Sequence, residues 1–290
     1  MTNPTKNKNP PVSPLISKWW RFRRNKLSMM GVVIILIFIA VGVFAPHLTP
    51  YDPRKQNLRM INKGPSAEHW FGCDQMGRDI FSRILHGAAI TLCISGTAVA
   101  MGLIVGSIVG IFGGFYGGKI DFLVTYVTDI LLAFPGFLLA IAVVAAIGPG
   151  LTGVIIAVGF TSIPQFIRIA RGSVLREKER GYVTAARAIG ENNLSIITRY
   201  ILPNCVAPLV ILLTLRMAFV ILIASGLSFL GLGAQPPSPE WGAMLSEGRA
   251  YLQTAPHTSI FPGLAIMVLV LAFNLFGDGL RDALDPRMKL

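Results

Sequence analysis

Six apolar runs, at residues 27–45, 89–112, 121–147, 151–170, 205–231 and 260–280, decide what this chain can become. A helix rises about 1.5 Å per residue, so about 20 apolar residues cross the hydrocarbon core of a bilayer. Each run is read as one crossing, which predicts an all-α membrane protein of six transmembrane helices. Composition agrees: 53% of residues are hydrophobic, 14% are charged, and the mean hydropathy is +0.61, outside the range of soluble domains. The lipid bilayer is thus the first partner.

The net charge of +12 and pI near 10.1 suit a nucleic-acid surface or the cytoplasmic loops of a membrane protein. Location separates the two, because the cations flank apolar spans, and no nucleic-acid partner is expected. Most of the 26 Lys and Arg fall on one side when both termini are placed in the cytoplasm, the arrangement that the positive-inside rule predicts. Residues 1–26 form a cytoplasmic leader ahead of a transmembrane domain at 27–290. Its Asn-, Pro- and Lys-rich start, 1–17, should lack structure by itself. Its end, KWWRFRRNK, places Trp19 and Trp20 among cations at the membrane interface. No cleavage site follows, so the first span doubles as the insertion signal.

Along the chain, Asp74, Arg78, Asp79 and Arg83 are sign-balanced neighbours, read as local salt bridges and caps rather than a catalytic cluster. Gly102, Gly106 and Gly110 form a small-residue stripe for close helix packing. GGFYGGK, at 113–119, has Ile120 where a phosphate-binding loop needs Ser or Thr, so this chain is not itself a nucleotide hydrolase. Asp129 and Pro135 interrupt the third span, and Pro164 marks a bend in the fourth. A carboxylate at Asp129 belongs in the bundle interior, an aqueous cavity or the interfacial end of its helix. Arg216, in the fifth span, needs a partner or water, and Asp129 is the candidate. Cys73, Cys93 and Cys205 show no metal-ligand spacing, and His47, His69, His86 and His257 all fall in outer segments. No catalytic motif, metal site or chain-bound cofactor is expected.

The longest cation-rich interval, 171–204, separates two spans on the cytoplasmic side. Gly181 and Gly190 bracket YVTAARAI, a short helix with adjacent small residues Ala185 and Ala186. Two readings stay open from the residues alone: docking into a groove of another protein, or an amphipathic helix resting on the membrane.

TAARAIGENNLSIITRYILPN resembles the cytoplasmic signature of binding-protein-dependent ABC importer permeases, in which a coupling helix docks on an ATPase. Ala185, Ala186, Gly190 and Pro203 fall on that pattern, Tyr182 lies in the same helix, and Thr184 replaces the usual acidic residue. FGCDQMGRDIFSRILHGA, LLAFPGFLLAI, GLSFLGLGAQPPSPEWGAML and FPGLAIMVLVLAFNLFGDGLRDALDPRMK resemble the second permease subunit of dipeptide and oligopeptide importers. The resemblance implies a type I ABC importer permease fold in a bacterial inner membrane. It implies a homologous second permease, two ATPase subunits carrying ATP and magnesium, and an extracytoplasmic substrate-binding protein. That protein would meet the outer segment containing Gly233, Gln235, Pro236 and Trp241, and the solute would be a peptide, with glutathione, nickel or metal chelates as alternatives within the same machinery. An ion-coupled secondary transporter is the rival from another class, and no intramembrane relay of carboxylates and histidines supports it.

Overall fold

The structure, a computed structural model, describes Trp20 and residues 22–284. The expectations for 1–17 and Trp19, and the last residues of the C-terminal stretch that carries the resemblance, lie outside the described residues. Among the described residues the regular structure is helical throughout, and no strand occurs. Helix α1 (Lys26–Leu48) starts where the Asn25 side chain accepts from the amides of Leu27 and Ser28, and it ends just after Pro46. The outer segment that follows leads into α2 (Ile80–Tyr116), whose first turn is capped by Asp79 accepting from the Ser82 amide at 2.7 Å. Helix α3 (Gly118–Ala133) and helix α4 (Gly136–Ile147) come next, then α5 (Leu151–Glu177) and the short α6 (Gly181–Ala188). Helix α7 (Asn193–Phe229) opens with a π-helical turn at Ile196–Ile201, and α8 (Trp241–Gly248) and α9 (His257–Leu284) complete the chain.

Helices α1, α2, α5, α7 and α9 are each long and apolar enough to cross a membrane, and the bent pair α3 and α4 makes the sixth element. The third run is therefore not one straight crossing. Its two halves meet at 96°, because Phe134 is held in extended backbone ahead of Pro135, which sits at the start of α4. Helix α5 continues unbroken through Pro164 to Glu177, and α2 starts at Ile80, so both reach well past the apolar runs. Backbone hydrogen bonding does not stop where hydrocarbon stops, and strong helix formers carry each helix onward. Consequently 171–177 and 193–204 are helical, and the interval between the two spans narrows to a link built around α6.

Helices α2 and α5 run side by side in the same direction, and glycines set their spacing. Gly102 lies against Ser162, a Cβ on Gly106 would stand 2.7 Å from the Ile163 carbonyl oxygen, and one on Gly110 would stand 2.5 Å from that of Ile167. Any side chain there would force the backbones apart. Helix α1 repeats the device against α9, where a Cβ on Gly31 would fall 2.7 Å from the Ala272 carbonyl oxygen. The buried interior, with Phe166, Ile221, Leu227 and Leu269, lies between α2, α5, α7 and α9, while Val33, Leu36, Ile37 and Val43 on α1 stay exposed as a lipid-facing surface should.

Gly106→Ala should lower the melting temperature of the purified protein, because overpacking of a tight seam costs about 1–3 kcal/mol. Gly96→Ala, in the same helix with nothing within 4 Å of its Cβ, should leave melting unchanged. Equal melting of the two variants would contradict the seam.

Candidate functional site

Helix α6 stands at the end of the bundle where α2, α5 and α7 converge. Val183 and Ala186 turn inward and are buried, while Tyr182, Thr184, Ala185 and Arg187 face out. The two adjacent alanines therefore serve opposite sides. Ala186 permits close packing on the bundle and Ala185 leaves the outer face flat. Gly190 has φ +83, the left-handed conformation that a Cβ disfavours. The amide of Gly190 donates to the Arg187 carbonyl and that of Glu191 to the Ala186 carbonyl, which closes α6 in a Schellman turn. Just beyond, Ile189 is 77% exposed and Leu194 is 63% exposed, an apolar pair in an otherwise polar link. Their signal was present in the sequence as two aliphatic residues flanking Gly190, and reading for small residues alone passed over it.

Polar contacts tie this helix to three long ones. The Tyr182 hydroxyl donates to Glu177 at the end of α5 and accepts from Asn204 of α7 at 3.3 Å. Desolvation, reinforced by the Glu177 carboxylate, pushes the Tyr182 phenol up to about 12, so it remains a donor at physiological pH. The Arg187 guanidinium lies 5.6 Å from the centre of the Phe115 ring on α2, and Lys178 Nζ donates to the Gly114 carbonyl at 3.0 Å. Glu191 accepts from Ser195 and Tyr200, fixing the descent into α7. Pro203 is exposed in the helical turn that follows. Helix α6 is thus in contact with α2, α5 and α7.

Within the spans the expected Asp129–Arg216 pair does not form. Asp129 Oδ1 accepts from Arg168 Nη2 at 3.0 Å, and both side chains are more than half exposed. Asp121, one end of the same helix, holds Arg171 with both carboxylate oxygens. Arg216 is buried between α5 and α7, donates to Ser162 Oγ at 3.0 Å, and lies over the Phe219 ring. Helix α3 carries its carboxylates against α5, so α7 does not receive them.

On the opposite side, Arg78 and Arg83 are sealed in the fold. Arg78 binds Asp74 Oδ2 at 2.6 Å and Glu247 Oε2 at 2.6 Å, and Arg83 reaches Glu247 at 3.1 Å. The local bridge expected for Asp74 and Arg78 is present, and Glu247 of α8 extends it. Asp79 meets His69 at 2.8 Å as well as capping α2. Burial, with Asp79 and Asp74 nearby, pushes the Cys73 thiol up to about 11. Trp241 and Gly233, expected on the outer contact surface, are instead buried. The Trp241 indole donates to the Ile84 carbonyl at 3.0 Å, and Gly233 lies tight against Ser228. A ring that large is worth more as an anchor between α2 and α8 than in solvent. Gln235 and Pro236 remain exposed. The Glu240 carboxylate caps α8 through the amides of Gly242 and Ala243, and burial raises its pKa.

Comparison with known proteins agrees with this architecture. The family model described as "Binding-protein-dependent transport system inner membrane component" matches residues 102–290, and "N-terminal TM domain of oligopeptide transport permease C" matches 13–65. The chain is 51% identical over 272 residues to the glutathione transport system permease protein GsiD of Escherichia coli O6:K15:H31 (strain 536 / UPEC), covering 93% of this chain and 90% of that one, with the same figures for GsiD of Shigella sonnei (strain Ss046). Among solved structures it resembles the inward-facing MetNI methionine ABC transporter, with TM-score 0.59 and 18% identity over 71% of this chain and 98% of that one. That likeness shows the type I importer permease fold.

Gly190→Ala places a Cβ in the left-handed region, at about 1–2 kcal/mol. Hydrogen exchange of the amides of Ile189, Gly190 and Glu191 should accelerate. Gly172→Ala, in a regular helix with open space at its Cβ, should leave them unchanged.

Proposed function

The chain belongs to the family of binding-protein-dependent transport system inner membrane components, and on that premise we propose that it imports a peptide-class solute, with glutathione the leading candidate. It is a permease of an ABC importer in a bacterial inner membrane. In the proposed assembly it lines one pathway with a homologous second permease. Two ATPase subunits, which carry ATP and magnesium, sit beneath, and a soluble substrate-binding protein delivers the solute. This chain performs no hydrolysis itself and binds no cofactor.

The observation that carries this reading is α6. A short helix, closed by Gly190 and in contact with three spans, presents Ala185 to the aqueous side, and Ile189 at its end and Leu194 at the start of α7 are exposed as well. Exposed apolar residues on a flat, small-residue face suit insertion into a groove of the ATPase. Thr184, where the family pattern has an acid, leaves that contact resting on shape and apolar area. ATP-driven closure of the ATPases would move α6, and through Tyr182, Arg187 and Lys178 it would change how α2, α5 and α7 pack. Glutathione is favoured because the 51% identical relatives are named for it. A dipeptide or a metal chelate would use the same machinery.

In proteoliposomes containing the whole complex, uptake of glutathione should require ATP and persist when the proton gradient is dissipated. Uptake that collapsed with the gradient while ATP remained would assign the chain to ion-coupled transport. Gly190→Trp should abolish uptake and separate it from ATP hydrolysis while the protein still inserts. Unaltered solute-stimulated hydrolysis in that variant would refute docking through α6.

A further inference from the structure

We propose that Arg216 and Ser162 form a carboxylate-binding site at the seam of α5 and α7, which receives the carboxylate of the solute during its passage. The proposal rests on the peptide-class reading above. Arg216 is 6% exposed, and no carboxylate of the described residues pairs with it. The two acids on α3 are taken, Asp129 by Arg168 and Asp121 by Arg171. An uncompensated buried cation inside a membrane span is costly, and such residues mark functional positions unless a partner is present.

The donors of this guanidinium are largely unused. Nη2 donates to Ser162 Oγ at 3.0 Å, and Nε is sealed from solvent with no acceptor. Ser162 in turn donates its own hydrogen to the Val158 carbonyl at 2.9 Å, which fixes its lone pairs toward the arginine. Gly102 stands against the Ser162 side chain, so the hydroxyl is held from behind by the α2–α5 seam. The guanidinium carbon lies 4.6 Å from the Phe219 ring centre. Nη1 has no acceptor among the described residues, and a carboxylate accepting there supplies the missing charge. Phe219 itself is 45% exposed, so the site lies one side chain from the surface of the chain.

A carboxylate is also the group that dipeptides, oligopeptides and glutathione all share, whatever their side chains. A single arginine reading that group alone suits a pathway that leaves side-chain selection to the soluble binding protein. Arg168 and Arg171 do not offer this chemistry, since each already holds an acid.

The test uses the complete complex in proteoliposomes with ATP. It compares turnover of the imported solute with that of its analogue in which every carboxyl is a carboxamide, each at concentrations that saturate the binding protein. Wild type should turn over the acid faster by about tenfold or more, the scale of a charge-assisted hydrogen bond. Arg216→Gln should erase the preference, and Arg216→Lys should retain part of it. Equal turnover of acid and amide by wild type would overturn the site without any variant, so the test survives a variant that fails to assemble. Arg216→Gln slowing both solutes by the same factor would also overturn it and assign the counter-charge to a protein carboxylate of the second permease. Absence of ATP-driven uptake of either solute in wild type would instead remove the importer reading, and this site with it.

Discussion

The close approach of α2 and α5 across Gly102, Gly106 and Gly110 is the contact on which the other placements depend. It fixes Ser162 at the height where α7 brings in Arg216, and it points Arg168 and Arg171 toward α3. At the end of the same seam Gly114 lies beside Val174 and its carbonyl accepts from Lys178, which anchors the link to α6. In lipid the hydrophobic effect does not pull helices together, so packing at short range has to do so. Glycines on one helix make that packing dense without demanding a matching shape from the other.

How much of this was legible in the sequence follows from the range of each interaction. Helical spans, the glycine stripe and the turn at Gly190 are local patterns, and all can be read from spacing. Helix ends were less legible. The apolar runs stop at the lipid boundary, whereas α2 begins at Ile80 and α5 ends at Glu177. Pro135 announced a break, but the 96° turn also needs Phe134 in extended backbone and Gly136 opening the next helix. Ion pairing was least legible. Asp129 finds Arg168 across 39 residues and Arg83 finds Glu247 across 164, and nothing in composition selects those partners over others. Trp241 misled for a related reason, since a Gly- and Pro-rich neighbourhood reads as surface while the ring's burial is decided by α1 and α2, through Phe38 and Ile84.

The helix α6 is held by contacts of different kinds. Val183 and Ala186 give it a dry face, Tyr182 links it to Glu177 and Asn204, and Arg187 lies over Phe115. These partners sit on α5, α7 and α2, so α6 is anchored to three spans at once. Its exposed side has Thr184 and Ala185, and the left-handed turn at Gly190 follows with Ile189 exposed before it.

Polar contacts are distributed unequally between the two sides, and this bears on where the bundle can change its packing. On the side of α8, Arg78 and Arg83 are sealed with Asp74 and Glu247, and removing a partner from such a buried set costs about 3–5 kcal/mol. The segment before α2, the start of α2, and α8 are thereby joined into one unit, reinforced by Trp241. The Asp129–Arg168 pair is exposed, and pairs of that kind contribute about 0–1 kcal/mol. A permease that alternates between two packings has to break and remake contacts on every cycle, and contacts of low net energy can be exchanged without a large barrier. The exposed Asp129–Arg168 pair lies close to the 96° break, while the segment before α2, the start of α2 and α8 form the firmly joined part. Arg216 stands apart from both sets, so the polar contacts of α5 divide between exposed or half-exposed ion pairs toward α3 and a buried hydrogen bond toward α7.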